Sequence, residues 1–148
     1  MSRFGTTLVG LCLAAIASLP VAAQDRFPDR MVRTPVEDIP WQPLFPGVEA
    51  FALYGGLEQG VPTAFIARTD PGQSMAIPHT HSDGYWGFIL AGNHQHWEIS
   101  EPDQGPILTA GSSWYQPADV SHADLCVGPE HCITLVVFDQ QADFIPVQ

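Results

Sequence analysis

Six histidines fall between positions 79 and 131, and two pairs among them, His79/His81 and His94/His96, sit two residues apart. Side chains two apart on a strand project to the same face, so the rings of His79 and His81 lie within reach of one metal ion. A third imidazole from a neighbouring strand completes a facial set, and His122, on the segment after Pro117-Ala118-Asp119, is the obvious donor. Imidazole nitrogens suit one divalent transition metal, Fe, Zn, Mn, Ni or Cu, and three protein ligands leave positions open for water or substrate.

Other residues could assist that chemistry. Tyr85 follows the first pair by four residues. Parity along 94–99 leaves two readings: His94 and His96 inward, or Trp97 and Ile99 inward with both histidines in solvent. In the inward reading His96 is the proton-transfer candidate, with Glu98 as its orienting partner. Asp83 shares the face of His79 and His81 beside Gly84, Asp124 shares the parity of His122, and His131 belongs to a solvated turn. No Gly-x-Ser-x-Gly elbow, phosphate loop or dinucleotide fingerprint occurs, which disfavours serine hydrolase and nucleotide chemistry.

The elements that must position these residues are short. Thirteen Gly and fourteen Pro in 148 residues leave little room for long helices. Apolar segments at 48–54, 63–68, 74–81, 85–90, 94–99, 113–116, 121–127 and 132–138 alternate with turn residues, the pattern of an antiparallel sandwich or barrel. Phe51, Phe65, Phe88, Trp97, Leu108, Trp114, Leu135 and Val137 form its expected core. Residues 24–40 carry Pro28, Pro35 and Pro40 and read as an extended arm, with the folded domain over 41–148.

Residues 1–23 read as a signal peptide: Arg3, an apolar stretch over 8–19, then the small residues Val21-Ala22-Ala23. The apolar stretch is shorter than a membrane span, so the processed chain is expected to be periplasmic or secreted. Outside it, Cys126 and Cys132 are separated by Val-Gly-Pro-Glu-His, a turn that can bring both sulfurs together in an oxidising compartment. Five Arg, no Lys and a formal net charge of −11 speak against nucleic acid and anionic membrane surfaces as partners.

The stretch 72–92 reads G-x6-H-x-H-x3-Y-x6-G, and 111–126 reads G-x5-P-x-D-x2-H-x3-C, eighteen residues apart. This resembles the cupin superfamily, whose motifs are G-x5-H-x-H-x3/4-E-x6-G and G-x5-P-x-G-x2-H-x3-N, and among its members the small bacterial cupins similar to the metal-binding domain of certain anti-sigma factors. The resemblance implies an all-β, single-domain cupin-type antiparallel barrel, a double-stranded β-helix of jelly-roll form, and often a homodimer. It places the family's metal histidines on His79, His81 and His122. The family's glutamate ligand falls on Tyr85, Asp119 replaces a glycine and Cys126 replaces an asparagine.

Without that glutamate the ion keeps its full divalent charge, which favours a small anionic chelating ligand. Some cupin oxygenases carry this three-histidine iron set, so the resemblance implies a metal-dependent dioxygenase, or a lyase, acting on a small organic molecule. Tyr85 is then a distant ligand, a hydrogen-bond donor to bound oxygen, a general acid/base, or part of the barrel wall; a phenol of ordinary pKa favours the donor. The other reading is a non-catalytic module that binds or senses a metal or ligand.

Overall fold

A computed structural model describes residues 27–57, 59–74 and 77–147; the signal-peptide reading of 1–23 falls outside them. Ten strands follow one 3-10 turn, Val36–Asp38: β1 Gln42–Phe45, β2 Val48–Tyr54, β3 Pro62–Thr69, β4 His79–Thr80, β5 Tyr85–Ala91, β6 His94–Glu98, β7 Ser113–Gln116, β8 His122–Cys126, β9 Cys132–Gln141 and β10 Ile145–Pro146. They form two antiparallel sheets, six-stranded β1-β2-β3-β9-β5-β7 and four-stranded β10-β4-β8-β6, in a jelly-roll-like sandwich.

The two sheets differ in what they turn inward. The large sheet contributes an apolar cluster of Phe65, Ala67, Tyr85, Val136, Phe138 and Ala142, while the small sheet turns His79, His94, His122 and Asp124 inward. Polar interior positions in a small barrel are retained at a cost in desolvation, so this side of the sandwich is built for chemistry rather than for stability.

Three expectations change. Phe88 lies on the outer face and is exposed, and Leu135 and Val137 are half-buried there, because β5 and β9 are apolar on both faces and their inward positions are Tyr85, Gly87 and Ile89, and Thr134, Val136 and Phe138. Phe51, Trp97, Leu108 and Trp114 are half-buried, which leaves Phe65 as the expected core residue that is fully enclosed. Among the described residues of 74–81, only His79–Thr80 are in a strand, since nearby backbone serves the chain elsewhere: Gln73 O accepts from Cys126 N and Pro78 O from Val147 N.

Cys126 ends β8 and Cys132 begins β9, with their Cα atoms 5.6 Å apart and their sulfurs joined across the turn. The link ties the small sheet to the large one. Both residues are fully buried.

Candidate metal centre

The two-residue spacing of His79 and His81 and the antiparallel pairing of His79 with His122 bring three imidazoles to one point. Ring centroids are 4.9 Å apart for His79 and His81, 4.3 Å for His79 and His122, and 5.2 Å for His81 and His122. One nitrogen from each ring lies within 4.8 Å of the others, and all three residues are buried.

Hydrogen bonds set which nitrogen each ring presents. The Nδ1–H of His79 donates to Ile77 O at 3.0 Å, that of His122 to Val120 O at 3.0 Å, and that of His81 to Asp143 O. A carbonyl only accepts, so each Nδ1 carries the proton and each Nε2 keeps its lone pair for the shared point. Nε2 of His81 is buried with no hydrogen-bond partner, a state that costs free energy unless an ion or water supplies the missing contact. Burial holds all three rings neutral, each pKa lowered from 6.5 to about 4, and the mutual repulsion of the set acts in the same direction. Three neutral, converging lone pairs fit a transition-metal ion.

The positions of the supporting residues were only partly legible. Phe144 stacks on His79 at 4.4 Å and Phe138 packs edge-on against His81 at 5.3 Å. The carboxylate of Asp143 accepts from the backbone N–H and hydroxyl of Ser82, fixing the segment that carries the His81 acceptor. No motif marks Asp143 or Phe144, because they reach the site from the C-terminal end of the chain through β10, paired to β4.

Tyr85 occupies the inner face of β5 with its hydroxyl 3.2 Å from His122 Nε2. Burial pushes its phenol pKa well above the ordinary value, against a smaller opposing effect from the indole N–H of Trp114, so the hydroxyl stays protonated and acts as a donor. His96 is inward, its ring 4.9 Å from that of His122. Its partner is Gln116, whose Oε1 lies 2.9 Å from His96 Nε2, and not the expected Glu98, whose side chain accepts from Ser100 at the strand end. The remaining carboxylates divide as follows: Asp124 is buried opposite His96, Asp83 accepts from Gln141 N at 3.3 Å, and Asp119 sits in the turn where its N–H donates to His81 O at 2.9 Å. His131 is half-exposed and 3.1 Å from Asp70.

Two cavities lie elsewhere in the fold, and none of the three histidines lines either of them. One of about 580 Å³ is lined by Phe45, Ile77, Pro78, Trp97, Ala123 and Leu125, beside the segment leading into His79. The other, about 290 Å³, is lined by Ala50, Ala52, Leu57, Thr63 and Phe65 and backs onto the apolar cluster that includes Tyr85 and Phe138.

This sandwich with a buried facial imidazole set on β4 and β8 is that of a metal-type cupin. Residues 29–142 match the ChrR cupin-like domain, and the chain belongs to that family. No curated protein matches it in sequence. Among solved structures it is similar to KdgF from a Halomonas species, with 16% identity, 73% of this chain and 94% of that one covered and a TM-score of 0.59. An RmlC-like cupin from Shewanella frigidimarina gives 21%, 74%, 89% and 0.58, and the DMSP lyase DddQ from Ruegeria pomeroyi 18%, 67%, 55% and 0.54. Likeness at these identities establishes the fold.

Proposed function

We propose that this chain is an exported cupin that holds one divalent transition metal through His79, His81 and His122 and carries out oxidation, as a dioxygenase, or lyase chemistry on a small anionic organic molecule. The observation that carries the reading is the set of three Nδ1–H donors locked to backbone carbonyls, which turns three buried Nε2 lone pairs to one point. A metal there would supply Lewis-acid polarisation and, where the ion is redox-active, an electron route. Structural neighbours that include a DMSP lyase support a small-molecule substrate.

The chain's own residues supply the rest. Tyr85, held protonated, donates a hydrogen bond to an oxygen of the bound molecule. His96, oriented by Gln116, holds or passes a proton beside His122. Phe138 and Phe144 pack against the rings and keep water from them. Export is supported by the 1–23 pattern and by the joined Cys126 and Cys132. The outer face of β5 and β7 is the surface for a homodimer.

Metal analysis of protein isolated without chelator tests the reading. One equivalent of metal per chain is expected, lost in His79→Ala and His122→Ala with the β-sheet signal retained, together with metal-dependent turnover across a panel of thiols, diketones and phenolic acids. Substoichiometric metal in a folded protein, or loading unchanged in the variants, overturns it. Tight zinc without turnover favours the sensing reading.

A further inference from the structure

The site uses three of the five inward-facing histidines; of the other two, His94 is buried and His96 half-buried. His94 and His96 project inward from β6, and across the sandwich β7 turns Trp114 and Gln116 towards them. The His94 and His96 rings are nearly parallel, 19° apart, with centroids 6.4 Å apart. The indole of Trp114 lies over both, 5.4 Å from His94 and 4.8 Å from His96, inclined by 20° and 28°. Room for the indole comes from Gly87, its partner across β5 and β7, where a Cβ would fall 2.1 Å from the Trp114 ring.

The nitrogens of this pair are unspent. Gln116 Nε2 donates to Pro117 O and Val120 O, which turns its Oε1 to His96 and places the proton of that ring on Nε2. Nδ1 of His96 therefore carries a lone pair, and it is buried with no hydrogen-bond partner, as are both nitrogens of His94. Two lone pairs without hydrogen-bond partners, beneath a stacking indole, mark a place for a ligand that takes nitrogen donors.

The spacing identifies the class. Two imidazoles that each give one nitrogen to an ion between them, with metal–nitrogen bonds of about 2.0 Å, have centroids about 6.3 Å apart, close to the 6.4 Å of this pair. Divalent ions demand three or four donors, whereas the monovalent d10 ions of copper and silver accept two in a line. A single charge between two neutral rings is also cheaper to bury than a double one, and the indole face above stabilises it as a cation–π cap. We propose that His94 and His96, capped by Trp114, form a second, two-coordinate site for a monovalent soft cation, Cu(I) being the natural occupant. The site shares no ligand with the three-histidine set; its link to that set is His96, whose Nδ1 would take the ion while its Nε2 stays with Gln116. With Cys126 and Cys132 joined, no thiolate from them competes for the ion.

Silver(I), which does not change oxidation state, is the probe. Purified protein loaded with zinc is titrated with Ag(I), following bound silver and zinc by elemental analysis after desalting and tryptophan emission in solution. One silver per chain is expected with zinc retained and emission quenched. His94→Ala and His96→Ala should each weaken silver uptake at least tenfold while leaving zinc in place, and Trp114→Phe should abolish most of the quenching while uptake continues. Histidine ring NMR of the wild-type protein gives a readout that needs no variant: resonances of His94 and His96 shift with silver and those of the zinc ligands do not. No silver bound, silver that merely replaces zinc, or uptake unchanged in both alanine variants overturns the proposal. If the alanine variants do not fold, NMR shifts confined to the zinc ligands overturn it equally.

Discussion

At the scale of single residues, the departures from the cupin motifs have physical consequences. Tyr85 stands where the motif has a carboxylate, and its hydroxyl lies 3.2 Å from Nε2 of His122. Because it remains a protonated donor, Tyr85→Phe should leave metal content at one equivalent and lower turnover about a hundredfold or more, the usual weight of one positioned donor; loss of metal instead would make Tyr85 a ligand. Asp119, the substitute for a motif glycine, retains the glycine's backbone shape, with φ of 59°, because its N–H must reach His81 O. A left-handed conformation costs a side-chain-bearing residue about 1 kcal/mol, less for Asp. Asp119→Gly should therefore raise stability by about 0.5 kcal/mol, seen as a higher urea midpoint, and a lower midpoint would show that the carboxylate itself is needed.

At the scale of elements, the strands were legible where turn residues bound them and their inward faces were not. The segments 48–54, 85–90, 113–116 and 132–138 match β2, β5, β7 and the start of β9, since Gly, Pro and Asp interrupt pairing wherever they occur. Parity failed on β5, where Trp86, Phe88 and Leu90 are as apolar as Tyr85 and Ile89, so alternation gives no sign. The metal set was legible because an i, i+2 pair on a strand needs no tertiary information. Asp143, Phe144 and Gln116 needed it, being delivered by β10 and β7 from remote segments. The link between β8 and β9 also belongs to this scale. Closing so short a loop contributes about 2 kcal/mol in the chain-entropy model, so Cys126→Ser/Cys132→Ser should lower the unfolding free energy by that amount, measured by urea with and without reductant. Equal midpoints would mean that the pairing of β8 and β9 within their separate sheets fixes this corner without the link.

At the scale of the whole molecule, two surfaces of opposite character remain to be accounted for. Outside, Trp86, Phe88, Leu90 and Tyr115 are 50%, 38%, 49% and 54% exposed, and Trp86 packs against both Phe88 and Tyr115 to make one patch. An apolar patch of this kind on a small domain marks an interface, so sedimentation should show a dimer that Trp86→Glu converts to a monomer without loss of metal; a monomeric wild type would refute the interface. Inside, five imidazoles are held neutral by burial, with pKa values lowered to about 4 for His79, His81, His94 and His122 and about 3 for His96. In the unfolded chain the same groups take up protons near 6.5. Between these values the unfolded state binds more protons, so the stability of the metal-free protein is full above pH 6.5 and drains as the pH falls towards 4. One such shift is worth about 3 kcal/mol, a large share of the ~5–15 kcal/mol that holds a small domain together. The metal-free protein should therefore unfold well before pH 4, with urea midpoints dropping steadily between pH 7 and 5. Zinc, which binds only the deprotonated rings of the folded state, should move that transition to lower pH. A midpoint flat from pH 7 to 4 in the metal-free protein would show that these rings are reached by water and are not the neutral interior that the centre requires.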